Sequence, residues 1–253
     1  MTAHTETTGL GASGEFCWMD IKTRDIPATA DFFSSVLDWR FAVDETDWRR
    51  ATKIRYGGHW IGSVSDLSTP IYPPGLPAHV AFYLSVDDVD RCTAQAAAHG
   101  AQLVLAPFDA ADQGRMSTML DPVGAAFSLW QPREFTGWQF PPGLPDGPHR
   151  MALVCERPDQ TEHFYRHALG LPVGHADFLP PTAGAAPTPQ WELVIGVPDL
   201  DAVATRARRH GGDVMAWSPR AGRAAMRLSS TEGLTFHVTA AADRPGHVPP
   251  TRT

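Results

Sequence analysis

Leu120–Trp130 reads LDPVGAAFSLW, and a similar stretch, Leu228–Val238, reads LSSTEGLTFHV. In each, a Gly (Gly124, Gly233) precedes a Phe (Phe127, Phe236) by three residues, and one variable residue follows: Ser128 in the first, His237 in the second. Asp-Pro and the Gly mark a tight turn, and the alternating apolar run after it marks a strand entering a core. The repetition of this turn and strand decides the fold.

Working outward from it, the chain divides into two similar halves. AFYLSVDDVDRCTAQAAAHGAQLVL precedes the first copy and ELVIGVPDLDAVATRARRHGGDVM the second. Both show a strand, an Asp, and a helix ending in His-Gly, with Asp88 matching Asp199 and His99-Gly100 matching His210-Gly211. Asp87 or Asp88 and Asp199 are expected to cap helix N-termini, and the Gly residues to close the helices in a left-handed turn. Earlier in each half stands a strand followed by a helix with an aromatic pair, Phe32-Phe33 and Phe164-Tyr165. Between the halves, Gln131–His149 (QPREFTGWQFPPGLPDGPH) is rich in Pro and Gly and marks a boundary. Its Phe135, Trp138 and Phe140 imply a segment packed onto a surface. The expected organisation is a first domain over 15–131, a linker over 132–148, a second domain over 149–240, and a disordered tail over 241–253. The Pro-rich stretch Val173–Gln190 is too short for three strands, so the second domain is expected to be shortened.

Alternation places Cys17, Met19 and Ile21 on one face of the first strand and Trp18, Asp20 and Lys22 on the other. In the matching strand, Val80, Phe82 and Leu84 oppose His79, Ala81 and Tyr83. The polar and aromatic face is expected to line a cavity, since Trp18, Tyr83 and Trp130 are large for a wet surface.

At 253 residues the chain has room for two ordinary domains. A net charge of −7 lacks the basic footprint of a nucleic-acid binder. No basic amphipathic stretch points to a membrane surface, and no apolar run has the length of a signal-peptide core or a membrane span, so a cytoplasmic location is expected. The three cysteines, Cys17, Cys92 and Cys155, have no CxxC spacing and read as buried free thiols. Glu162, His163 and His167 read as a solvated helix face. No GxSxG, P-loop or dinucleotide fingerprint is present.

These motifs, in this order and repeated, resemble the vicinal oxygen chelate superfamily, which comprises glyoxalases, bleomycin-resistance proteins and extradiol dioxygenases. The narrower likeness is to its two-domain glyoxalase-like or hydroxylase branch. The resemblance implies an α+β fold of tandem βαβββ modules forming two glyoxalase-like domains with curved mixed sheets, the second partly truncated. It also implies a cup in each domain. In metal-using members, ligands from the first and last strand of each module hold a divalent ion, with donors at about 2.0–2.2 Å. Mapped onto this chain, those positions in the first domain fall on Trp18, on Ile61 or Gly62, on Ala81 and on Ser128, none a ligand. His59 and His79 lie nearby without a third donor. In the second domain the positions fall near Arg150, on Glu192 and on His237. A cation at Arg150 or Arg227 would neutralise Glu192, so the expectation is a metal-free polar cluster of Arg150, Glu192, Arg227 and His237.

The expected working site is therefore the first cup, with no metal and no other cofactor. Asp20, His79 and Tyr83 are the candidate catalytic groups. Trp18, His59, Arg115, Ser128 and Trp130 are the candidate substrate-binding residues. The expected function is metal-independent acid/base chemistry (isomerisation, cyclisation or dehydration) on a hydrophobic aromatic or polyketide-like molecule of specialised metabolism. The alternative is small-molecule sequestration of the bleomycin-resistance type. A metal-dependent lyase or dioxygenase is the third reading, which the ligand positions argue against. The expected partner is a small molecule, with no nucleic acid and no membrane, and the protein is expected to be a monomer or a homodimer.

Overall fold

The computed structural model describes residues 9–45, 50–181, 188–217 and 224–241. The first module comprises β1 (Phe16–Thr23), α1 (Ile26–Leu37), β2 (Arg40–Val43), β3 (Thr52–Tyr56) and β4 (His59–Asp66). The second comprises β5 (His79–Ser85), α2 (Val89–Ala98), β6 (Gln102–Ala110), β7 (Gly114–Leu120) and β8 (Ala126–Pro132). Together they form one mixed eight-stranded sheet in the order β2-β3-β4-β1-β5-β8-β7-β6. Antiparallel pairing of β1 with β5 joins the modules, while β4 lies parallel to β1 and β8 parallel to β5.

A third module is reduced to β9 (Pro148–Val154), α3 (Pro158–His163) and β10 (Ala176–Leu179), with α3 running on as a π-helical turn over Phe164–Ala168. The fourth is complete, with β11 (Trp191–Val197), α4 (Leu200–Arg209), β12 (Asp213–Trp217), β13 (Ala225–Ser229) and β14 (Thr235–Ala240). The second sheet runs β10-β9-β11-β14-β13-β12, with β9 antiparallel to β11 as β1 is to β5. The second domain is thus shortened by two strands among the described residues. The tail expected over 241–253 lies, beyond Ala241, outside the described residues.

The repeated turn is built the same way twice. Asp121 Oδ1 accepts from the backbone N–H groups of Val123 (3.0 Å) and Ala125 (2.8 Å), and Gly124 adopts φ 94°. In the second copy the Ser230 hydroxyl takes the N–H groups of Glu232 (3.3 Å) and Leu234 (3.2 Å), and Gly233 adopts φ 82°. Each Gly sits where a side chain would strain the backbone. Asp88 and Asp199 cap α2 and α4 through Arg91 N and Ala202 N, both at 2.9 Å, and Gly100 and Gly211 follow the helices at positive φ.

Between the two sheets, α1 and α4 pack together. Phe32 and Phe33 meet Phe236, and Arg206 donates twice to the Val36 carbonyl. Glu232 accepts from Thr23 (2.6 Å) and Thr29 (2.5 Å) across the same seam. At the other end, Tyr165 packs on Phe127 and donates to Asp121 Oδ2 (3.0 Å) while accepting from Trp191 Nε1 (3.0 Å). The turn on which the fold reading rested is therefore also an inter-domain fastener. The segment joining the domains is packed: Trp138, 2% exposed, donates to Ile61 O at 2.8 Å, and its N–H bonds Cys17 O at 2.7 Å. All three cysteines are buried and free.

Candidate functional site: an aromatic-walled cup in the first domain

Strand pairing brings alternate residues of β1, β4, β5, β7 and β8 to one face. Trp18 stands opposite Tyr83 and Asp20 opposite Ala81. Asp20 also pairs with Ser63, and Lys22 with Ser65. Met116 stands opposite Trp130. This face encloses a cavity of about 340 Å³, walled by Trp18, Tyr72, Tyr83, Met116, Trp130 and Phe135. Phe135, from the inter-domain segment, stacks edge-on against Trp18 (4.8 Å between centroids) and takes Trp130 Nε1–H on its carbonyl at 3.0 Å. The wall is largely aromatic and suited to a planar ligand.

Polar groups also line the cavity, among them Lys53, Asp66, Gln113 and a cluster around Asp20. Lys22 Nζ donates to Asp20 Oδ2 (2.5 Å), Ser65 Oγ (3.2 Å) and Tyr72 OH (3.0 Å). Ser65 also donates to Asp20 Oδ2 at 2.7 Å. Burial works against the Lys22 charge, but Asp20, Tyr83 and Tyr72 together hold its pKa above the usual lysine value. Tyr83 is pushed up as well, first by burial and then by the Asp20 charge. Asp20 is 6% exposed, and its second oxygen, Oδ1, has no hydrogen-bond partner. A buried carboxylate oxygen without a partner costs about 1–3 kcal/mol or more.

Of the residues expected in this site, Trp18, Asp20, Tyr83 and Trp130 line the cavity. His79 does not: it sits at the strand mouth opposite Lys22, with Nδ1 bonded to Pro77 O at 2.9 Å. His59 is likewise outside, held at the rim by Gln139 O (3.0 Å). Arg115 lies one residue from Met116 in β7, so it faces α2, where it chelates Asp90 at 2.7 and 2.9 Å and touches Asp109 at 3.3 Å. A one-residue change of register moves a side chain to the other face. Ser128 faces the cup but is 3% exposed and pairs with Thr118 Oγ1 at 2.9 Å, below the cavity floor. His79→Ala is accordingly expected to change ligand affinity by no more than about twofold, the scale of a substitution away from a site. A tenfold loss in a ligand titration would return His79 to the site.

The register also corrects the ligand position assigned to β4. A shift in the β3–β4 ladder between Ile54 and Arg55 turns Ile61 and Gly62 inward, and a Cβ on Gly62 would lie 2.9 Å from Met19 Cε. Asp20 pairs with Ser63 as Tyr83 pairs with Ser128, so Ser63 is the true counterpart. The four equivalent positions therefore carry Trp18, Ser63, Ala81 and Ser128. With no imidazole, thiolate or carboxylate among them, this donor set does not fit a divalent ion. Among the described residues no group of three His, Cys, Asp or Glu side chains is placed to hold a metal.

In the second domain the same positions carry Arg150, Asp177, Glu192 and His237, from the pairings of Val194 with Arg150 and His237 and of Ala152 with Glu192 and Asp177. They form two ion-paired groups instead of the single cluster expected. Arg150 grips Asp177 with Nε (2.8 Å) and Nη2 (3.0 Å) and is not the partner of Glu192. Arg227 holds Glu192, with Nη2 at 2.5 Å from Oε1 and Nε at 2.9 Å from Oε2, and Thr235 and Gln190 add donors at 2.5 and 2.8 Å. His237, fully buried, stacks on Trp217 and places Nε2 2.5 Å from Glu192 Oε2, without the alignment of a hydrogen bond. Each carboxylate thus carries its own guanidinium, a poor setting for a metal.

Asp177 and Tyr72 were missed in the sequence because a four-residue strand and a Pro-rich loop carry no readable periodicity. Lys22 was legible, since it alternates with Trp18 and Asp20.

Two sheets built from βαβββ modules, the first folded around a cup, define a class of protein, and comparison with known families agrees for the first domain. Residues 16–129, the first domain, match the Glyoxalase/Bleomycin resistance protein/Dioxygenase superfamily. Among the relatives of the chain is "Anthracycline biosynthesis protein DnrV" of Streptomyces peucetius, 29% identical over 233 residues that cover 80% of this chain and 84% of the relative. The fold is shared with the Mn(II)-bound glyoxalase from Novosphingobium aromaticivorans (TM-score 0.60, 13% identity, covering 91% of this chain and 83% of that one). It is also shared with 2,2',3-trihydroxybiphenyl 1,2-dioxygenase from Sphingomonas wittichii strain RW1 (TM-score 0.60, 13% identity, covering 90% and 91%). No helix among the described residues is long and apolar enough to cross a membrane.

Proposed function

We propose that this protein is a metal-independent enzyme that uses the first cup for acid/base chemistry on a hydrophobic, aromatic or polyketide-like molecule. The chemistry is an isomerisation, cyclisation or dehydration within specialised metabolism. The observation that carries this reading is Asp20, a buried carboxylate in the wall of a largely aromatic cavity of about 340 Å³. A carboxylate in that wall is the group able to act as a general base toward a bound carbon or hydroxyl acid. Similarity to a protein named for anthracycline biosynthesis supports a planar polyketide as the ligand class. The partner is a small molecule, and either a monomer or a homodimer suffices because the cup is built within one chain.

A second reading, sequestration without turnover, draws support from the pairing of Asp20 with Lys22, which occupies one of the two carboxylate oxygens. One experiment separates them. Planar polyketides are screened by thermal shift, and each stabilising compound is recovered after incubation and weighed by mass spectrometry and retention time. A changed product that Asp20→Asn no longer forms supports the enzyme. Unchanged compound under every condition sinks it in favour of sequestration. Chelator is expected to leave both ligand binding and turnover unaltered, and elemental analysis giving about one transition metal per chain would contradict the metal-free mechanism.

A further inference from the structure

We propose that the Tyr83 hydroxyl recognises the ligand of the first cup by donating to one of its oxygens, and that the ligand class is an uncharged planar aromatic carrying such an oxygen. This deepens the function proposed above and rests on its placing of the ligand in that cup. Tyr83 lines the cavity, opposite Trp18 in the β1–β5 ladder and edge-on to the Trp130 ring (6.3 Å between centroids). The other hydroxyls of the wall are engaged. Ser63 takes Trp18 Nε1–H (3.1 Å), Ser65 donates to Asp20 (2.7 Å), Thr69 donates to Asp66 O (2.9 Å) and Tyr72 accepts from Lys22 (3.0 Å). The indole N–H groups of Trp18 and Trp130 are spent as well, on Ser63 and on Phe135 O. Of the hydroxyls in the wall, that of Tyr83 alone has no hydrogen-bond partner among the described residues. Burial and then the Asp20 charge push its pKa up, so it keeps its proton at neutral pH and acts as a donor. A ligand oxygen supplies the missing acceptor.

The charges of the wall set the rest of the class. They belong to Asp20, Lys53 and Asp66. Asp20 is matched by Lys22, and Lys53 by Asp44 at 2.6 Å, with each of these four side chains less than one-fifth exposed. Asp66 accepts from the Ser68 N–H (2.7 Å) in the turn after β4. A charged ligand would give up its hydration for a cavity whose buried ions already hold partners, a desolvation cost with no new ion pair to offset it. A neutral ligand avoids that cost, and the aromatic walls take its ring faces.

The test is equilibrium dialysis of the full chain against four naphthalenes: methyl 2-naphthoate (a neutral acceptor), 2-ethylnaphthalene (no oxygen), 2-naphthoate (an anion) and 2-naphthylmethylammonium (a cation). Tyr83→Phe is expected to bind the ester about three- to tenfold more weakly than wild type does, the range of one neutral hydrogen bond. The same variant is expected to bind the hydrocarbon within about twofold of wild type, which also shows that the cup is intact. In wild type both ions are expected to bind at least about tenfold more weakly than the ester. An equal change for ester and hydrocarbon in Tyr83→Phe, including no change, overturns the role of Tyr83. An ion bound as tightly as the ester overturns the uncharged class. If none of the four binds, the cup falls as the ligand site, and the function proposed above falls with it. The expected pattern without turnover in the polyketide screen sinks the enzyme alone and leaves Tyr83 and the ligand class standing.

Discussion

Asp121→Ala is expected to lower the stability of the chain by about 3–4 kcal/mol, read as a shift in urea midpoint at constant slope. Asp121 is 2% exposed and closes its own turn through Val123 N and Ala125 N. Its other oxygen takes the proton of Tyr165 in the second domain. Alanine leaves two backbone N–H groups and one buried hydroxyl without acceptors, each costing about 1–3 kcal/mol and adding incompletely because they share one side chain. Asn should recover part of the loss. Its carbonyl can serve the turn, but its amide would face a Tyr165 hydroxyl that already accepts from Trp191. A loss below about 1 kcal/mol for Asp121→Ala would show that the turn holds without its side chain and that the domains are fastened elsewhere.

Arg227→Met is expected to cost about 2–3 kcal/mol at neutral pH, toward the low end for breaking a buried pair because Arg227 itself is one-third exposed. Glu192 remains buried at 4% exposure and keeps only the donors of Thr235 and Gln190, beside the His237 ring. The penalty should depend on pH in a definite direction. Burial pushes the Glu192 pKa up, but His237 and Arg227 outweigh it and hold the carboxyl well below the usual range. A depressed carboxylate contributes stability that is fully present above its unfolded value, about 4.3, and is lost as pH falls toward the folded value. Wild type should therefore lose stability steeply below about pH 4.5, and Arg227→Met less steeply, so the two curves converge in acid. Thermal unfolding across pH 2.5 to 7 checks this, and parallel curves would mean that Arg227 does not set the ionisation of Glu192.

How much of the site could be read beforehand depended on periodicity. Trp18, Asp20, Tyr83 and Trp130 fell on the cavity face because strand alternation survives in the sequence as a period of two. Arg115 failed the same test by one residue, since its neighbour Met116 holds the inward register. His79 keeps the correct face but lies too far along the strand, where Pro77 claims its ring. Arg150 or Arg227 was expected to neutralise Glu192; Arg227 does, while β10 brings Asp177 beside Arg150. Such choices depend on which short strand reaches which partner, and no local pattern encodes that.

By itself, the sequence determined the module order, the repeated turn, the shortened second half and the ligand-poor first cup, because caps, turn residues and alternation are local properties of neighbouring residues. Only the tertiary structure decided that Phe135 and Tyr72 wall the cavity and that Lys22 spends its three donors inside it. It alone showed that Asp20 keeps one oxygen free and that each second-domain carboxylate has its own arginine. Those features join residues far apart in the chain, Lys22 and Tyr72 by fifty positions and Trp18 and Phe135 by more than a hundred. They are set by where the chain returns in space, through burial and the requirement that buried polar groups find partners.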